Sequence, residues 1–180
     1  MSEDKALVIR IIDEDMDAFR DLIRQHERLV VHMIGRVVKK PEDIEELCQD
    51  TFLKVYEKIK MFNYQSKLST WIATIAYRQA INHLRKRQIP MGEINDDELR
   101  ERFIAEDNPA EQLEDDDIEQ KIMTYIDELP VHYRTVITLY HLEGMNYAEI
   151  GKITAMPEGT VKNYLFRARY LLKDRIKKHL

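Results

Sequence analysis

At 180 residues, with 44% hydrophobic and 34% charged side chains, the chain is globular in composition and long enough for one ordinary domain or two small ones. Five Gly and five Pro leave little turn material for a many-stranded sheet, and a single cysteine, Cys48, excludes an internal disulfide or a Cys-based zinc cage. The net charge of -5 hides a sorting: residues 91–119 hold 13 acidic and 2 basic side chains, a net of -11, so the remainder carries +6.

MSEDKALVIR lacks the basic-then-apolar order of a signal peptide. No apolar run nears the ~20 residues that span a bilayer. A reducing, cytoplasmic setting is expected. The first organised block runs over 15–88. Phe19, Leu22, Ile23, Leu29, Val30, Met33, Ile34 and Val37 recur at helical spacing. KKPEDIEE then makes a turn, with Pro41 near the first position of a second helix. Ile44, Leu47, Cys48, Thr51, Phe52, Val55 and Ile59 give that helix one apolar face, and Gln49, Asp50 and Lys54 point elsewhere. Cys48 is expected to pack as a small apolar residue. A loop follows around Asn63–Ser66, and Ser66 or Ser69 is expected to cap a third helix over about 68–87. Its buried side reads Trp71, Ile72, Ile75, Ala76, Ala80, Ile81 and Leu84. Its polar residues include Tyr77, Arg78, Gln79, Asn82, Arg85, Lys86 and Arg87, with Arg78, Asn82 and Arg85 spaced by 4 and 3.

Residues 89–115 form an acidic, flexible connector with Pro90 and Pro109, and a transient helix is expected around 96–105. The block 116–180 holds four helices. The first carries Ile118, Ile122, Tyr125, Ile126 and Leu129 and stops at Pro130. The second, 131–142, ends at Glu143-Gly144, a C-cap candidate. The third and fourth, 147–154 and 158–178, are joined by a tight turn at Met156-Pro157, the pattern of a helix-turn-helix. The expected architecture is all-α: two small helical domains on an acidic linker.

On the last helix Val161, Leu165, Ala168 and Leu172, spaced 4, 3 and 4, lie within about 60° of one another and form its buried face. Opposite stand Asn163, Phe166, Arg167 and Tyr170, with Lys162 and Arg169 at one flank. Asn and Arg suit base edges in a major groove, and Thr160, Lys162, Arg169 and Lys173 suit phosphates. The basic character of this last helix leads us to expect a polyanion as its partner.

EDIEELCQDTFLKVYEKIKMFNYQSKLSTWIATIAYRQAINHLRKR closely resembles the conserved region 2 of bacterial sigma factors of the extracytoplasmic-function (ECF) group, and LPVHYRTVITLYHLEGMNYAEIGKITAMPEGTVKNYLFRAR resembles region 4. The resemblance spans roughly 15–88 and 116–178. It implies a dissociable subunit that directs core RNA polymerase to promoters and assists DNA opening. It implies that Gln49, Asp50 and Lys54 face the polymerase. It implies that the loop before the third helix traps an unpaired −10 base, with Phe62, Tyr64 and Trp71 as ring candidates and Asn63, Gln65 and Ser66 as hydrogen-bonding candidates. Exposed rings stack on unpaired bases whatever their sequence, at about 1–3 kcal/mol each. Of the rings, Tyr64 is expected to be the exposed one. Arg78, Asn82 and Arg85 would meet the upstream −10 duplex, and the last helix the −35 element. Partners implied are core polymerase, promoter DNA and an anti-sigma factor, with no cofactor and no small-molecule substrate.

No paired carboxylates, nucleophile beside a His, Gly-rich phosphate loop or EF-hand spacing stands out, so the chain is not expected to be an enzyme or to bind a metal. His26 and His32 are six apart, which is not one helix face, and His132 and His141 lack a carboxylate pattern. Two other readings are open. A stand-alone helix-turn-helix regulator would bind duplex specifically without polymerase. A helical interaction protein would bind some other acidic partner.

Overall fold

The computed structural model describes residues 3–89, 91 and 115–179, and every regular element among them is helical. The expected helix around 96–105 lies outside these residues. The described residues fall into two compact units. One holds the chain up to Ile89 together with Ala148–Met156. The other holds the helices that follow the linker, up to Tyr147, and the chain from Pro157 onward.

The first unit opens with a helix that the periodicity count left out, α1 (Glu3–Ile12), whose Leu7, Val8 and Ile11 are buried. Glu14 takes a positive φ of 65°, and Asp15 then caps α2 (Met16–Gly35). Its carboxylate accepts from the N–H groups of Asp17 and Ala18, both at 3.0 Å, and from Arg10 Nε at 2.9 Å. The Ala18 N–H and the Arg10 guanidinium hold this carboxyl below its usual range. α2 buries Phe19, Leu22, Leu29, Val30, Met33 and Ile34, close to the stripe read from the sequence.

α3 (Pro41–Lys58) starts on its proline, whose missing N–H costs nothing there. It buries Leu47, Thr51, Phe52 and Val55. Cys48 is half-buried, and that burial pushes its thiol up. A short 3-10 turn, Ile59–Met61, leads into the loop before α4 (Leu68–Lys86). α2, α3 and α4 pack mutually around a core that includes Leu22, Met33, Ile34, Val55, Leu68 and Ile72. Each such fully buried side chain contributes about 1.5–3 kcal/mol of transfer free energy. The N-cap of α4 is Lys67, without a side-chain cap; neither Ser66 nor Ser69 takes that role. Ser66 Oγ instead donates to the Lys67 carbonyl at 3.3 Å.

In the second unit, α5 (Asp115–Glu128) and α6 (Val131–His141) pack on α8 (Glu158–His179). Arg134 is buried and closes the end of α5: its Nη1 donates to the carbonyls of Asp127 at 2.9 Å and Leu129 at 3.3 Å. Arg175, on α8, pairs with Glu128 and lies 4.3 Å above the Tyr125 ring, which ties α8 to α5. α6 ends at His141 with Leu142 as its cap, two residues before the expected Gly144. Gly144, at φ 64°, turns the chain after it, and the Met145 N–H returns to the Leu139 carbonyl. α7 (Tyr147–Thr154) follows, and its residues from Ala148 onward group with the first unit.

Candidate nucleic-acid interface

α7 ends at Thr154, and after three intervening residues α8 begins at Glu158. The connection is tight for a physical reason. Ala155 adopts φ 57°, and the Met156 N–H reaches the Gly151 carbonyl at 3.1 Å. A Cβ on Gly151 would come within 2.8 Å of the Met156 oxygen, so this position admits only glycine without a shift. The Pro157 carbonyl accepts from Thr160 and Val161 and starts α8.

The buried side of α8 is the expected one: Val161, Leu165, Ala168 and Leu172 are all buried. Lys162, Asn163, Phe166, Arg169, Tyr170 and Lys173 are exposed, Phe166 to 71%, and Thr160 and Arg167 are half-buried. One helix thus presents a surface of cations, an amide and aromatic rings. Arg169 and Lys173 also rim an apolar groove of about 640 Å³ between α5, α6 and α8, floored by Ile122, Ile126 and Ile137.

In the first unit the loop 62–67 is organised around a ring cluster. Tyr64 is 44% exposed and sits at φ 60°, a conformation unusual for a bulky residue. Its ring leans on Phe62 at 4.8 Å, and Phe62 meets Trp71 at 5.4 Å. Phe62 is only 5% exposed, so the expectation that it offers a stacking face is corrected: directly after the 3-10 turn it points into the core and supports the other two rings. Trp71 is half-buried. Asn63 and Gln65 are exposed and Ser66 is half-buried. The Asn63 side-chain oxygen accepts from the Gln65 N–H at 3.2 Å, which stiffens the turn. Lys67 pairs with Glu149 at 2.7 Å, and Lys152 donates to the Gln65 carbonyl at 3.4 Å.

Along α4, Arg78, Asn82 and Arg85 are exposed, but Tyr77 is buried and leaves that polar face. On α3, Gln49, Asp50 and Lys54 are exposed, and Lys54 Nζ donates to Gln79 Oε1 at 2.9 Å. Two exposed apolar side chains accompany these surfaces and were not singled out from the sequence. Leu53, 61% exposed, stands beside Lys54, and Met61, 73% exposed, stands beside the loop. Leu53 was detectable as the leucine that falls off the apolar stripe of α3.

Residues 22–89 match the family described as Sigma-70 region 2, and residues 119–172 match that described as Sigma-70, region 4. The chain is 31% identical over 180 residues to the ECF RNA polymerase sigma-E factor of Haemophilus influenzae, covering 96% of this chain and 95% of that protein. It is 30% identical over 176 residues to the RNA polymerase sigma-H factor of Pseudomonas aeruginosa, covering 93% and 90%. Among solved structures, CnrH in complex with the cytosolic domain of CnrY aligns with a TM-score of 0.71 at 16% identity, covering 99% of this chain and 100% of that one. RpoE in complex with the anti-sigma factor NepR from Bartonella quintana aligns at 0.65 and 22%, covering 88% and 96%. These two share the fold.

Proposed function

The chain belongs to the ECF group of the sigma-70 family, and from that membership we propose what each of its surfaces does. It is a dissociable subunit that directs core RNA polymerase to specific promoters and assists DNA opening at initiation. Residues 15–88 bind polymerase and open the −10 region, 116–180 hold the −35 duplex, and the acidic stretch 89–115 tethers them. Gln49, Asp50 and Lys54, with Leu53 among them, face the polymerase. Tyr64 stacks on an unpaired base, its ring held on Phe62, and Trp71, on the other side of Phe62, completes the ring cluster, while Asn63, Gln65 and Ser66 supply hydrogen bonds. Stacking at about 1–3 kcal/mol offsets much of the few kcal/mol needed to take a base out of its helix.

Arg78, Asn82 and Arg85 follow the duplex upstream of that base. On α8, Asn163 and Arg167 address base edges, Phe166 and Tyr170 pack in the groove, and Thr160, Lys162, Arg169 and Lys173 take phosphates. The catalytic step of RNA synthesis belongs to the polymerase, and this chain contributes no reacting group. An anti-sigma factor is a further partner; a neighbour of the same fold was captured with one. Among the described residues no helix is long and apolar enough to cross a membrane.

The observation that carries the reading is the pairing of a region 2 match over 22–89 with a C-terminal helix whose apolar stripe is buried and whose basic, amide-bearing side is exposed. A stand-alone regulator has no use for the first of these. Gel filtration of the purified chain with core polymerase tests it: co-elution and promoter-dependent run-off transcripts are expected. Tight sequence-specific binding to duplex without polymerase would favour the regulator instead.

A further inference from the structure

The surfaces assigned above leave Tyr140, His141 and Tyr147 without a role, although their arrangement is ordered. Tyr140 and His141 end α6; the turn through Gly144 brings Tyr147 back beside Tyr140. The two tyrosine rings stack at 5.4 Å with an interplanar angle of 17°. Lys162 Nζ lies 5.2 Å from the centre of the Tyr147 ring, and the Arg169 guanidinium 5.1 Å from that of Tyr140. Arg169 Nε donates to His141 Nε2 at 3.0 Å, and the His141 ring meets Tyr140 edge-on at 5.1 Å.

Lys162 and Arg169 are seven residues apart, so about 700° of helical rotation brings them to nearly the same side of α8, about 10.5 Å apart along its axis. Both are exposed beyond the rings that carry them. Among the described residues neither pairs with a carboxylate. That difference matters chemically. A carboxylate would neutralise the cation and compete with DNA for it. A ring face attracts the cation through its quadrupole and leaves the charge intact. His141 serves the same end: burial, and the positive charge of Arg169, hold its imidazole below the usual range, so at neutral pH it accepts a hydrogen bond without adding charge.

We propose that Tyr140, Tyr147 and His141 are positioning residues, an aromatic rail that holds Lys162 and Arg169 in the poses from which they grip DNA phosphates. The inference rests on the reading of α8 as the −35 helix. Two long, mobile side chains ordered before binding need not be ordered during it, which raises affinity without a new contact to DNA.

The test uses the full chain with core polymerase and a promoter duplex that the unaltered holoenzyme is shown to transcribe. Tyr147→Leu and Tyr140→Leu are each expected to weaken duplex binding about two- to fivefold. Tyr147→Phe and Tyr140→Phe keep the ring and stay within about twofold of the parent. The salt slope separates positioning from contact: Lys162→Ala and Arg169→Ala each lower it by about one phosphate, whereas the leucine variants leave it nearly unchanged. Tyr147→Leu should cost nothing further in a Lys162→Ala background, nor Tyr140→Leu in an Arg169→Ala background. A general loss of fold would be felt equally in both backgrounds, so additive costs overturn the rail, as does a phenylalanine variant no better than leucine. If Lys162→Ala and Arg169→Ala are silent while Arg167→Ala abolishes −35 use, the rail falls and the −35 helix stands. If all three are silent, the −35 assignment fails and the rail with it.

Discussion

The Tyr64 ring rests on Phe62, centroid to centroid 4.8 Å, while its own backbone sits at φ 60°. The exposed ring is therefore held on a buried one, on a loop whose conformation side chains with a Cβ rarely adopt. Tyr64→Ala removes one stacking surface of about 1–3 kcal/mol, so duplex opening should fall by about 5- to 150-fold. Activity on a pre-melted template should fall much less, because the unpairing cost is already met. Phe62→Ala is expected to act differently: it hollows the core, destabilises the fold by about 3–5 kcal/mol and shows first in a urea melt. Equal defects of Tyr64→Ala on both templates would argue against a role in opening.

Asp43, in the first turn of α3, grips the end of α4. Its carboxylate accepts from Arg87 Nη2 at 3.2 Å, lies 3.2 Å from Arg87 Nη1 as an ion pair, and faces His83 Nε2 at 3.3 Å. Asp43 is 8% exposed, but the Arg87 side chain is 47% exposed, so solvent screens part of the pair. Asp43→Ala should cost about 1–3 kcal/mol, toward the lower end, by chemical denaturation. It should also loosen the helix that carries Arg78, Asn82 and Arg85. Hydrogen exchange at the last turn of α4 reads that loosening, and unchanged protection there would remove the clamp.

His26 gives the fold a pH dependence. It is half-buried on α2 without a hydrogen bond to Nε2, and desolvation lowers its pKa below 6.5, against a smaller opposing pull from Asp4. The unfolded chain then binds this proton at a higher pH than the folded one. Stability is complete above the ordinary histidine value and declines as pH falls from there through the depressed folded one. The melting temperature should drop as pH falls below about 6.5 in the parent, and less in His26→Leu. A parallel decline in both proteins would place the effect elsewhere.

At Gly151 the constraint is steric. An added Cβ would come 2.8 Å from the Met156 carbonyl, a backbone atom that cannot swing aside. Gly151→Ala should distort the turn into α8 and destabilise by about 1–3 kcal/mol, with reduced use of the upstream promoter element. Ala155→Gly relieves φ 57° and should be neutral or mildly stabilising. Wild-type melting and transcription by Gly151→Ala would show that the turn relaxes freely.

Much of this was legible in the chain. The stripes of α2, α3 and α8 were, because burial repeats with the helical turn, and so were the Pro41 start and the turn at Gly144 just past the Leu142 cap, where local chemistry decides. The loop was legible only in part. Phe62 follows a 3-10 turn, so a count at 3.6 residues per turn loses its phase there, and nothing local says that the ring turns inward while Tyr64 turns out. Tyr77 read as polar, yet its ring is buried, since a phenol is mostly apolar surface. α1 is short, and its near-continuous apolar run from Ala6 to Ile12, broken only by Arg10, does not say which residues face inward; Leu7, Val8 and Ile11 do. The cap at Lys67 lacks any side-chain bond, so serine chemistry pointed to the wrong residues. The stacked Tyr140 and Tyr147 depend on the turn at Gly144, which brings together rings that no single helix contains.

Run-off transcription from a promoter library, by purified core polymerase with and without the chain, tests the central assignment most directly. Discrete start sites that appear only when the chain is present, and that weaken with Arg167→Ala and Tyr64→Ala, are the expected result. Identical start-site spectra in both reactions, despite a folded chain in excess, would contradict it.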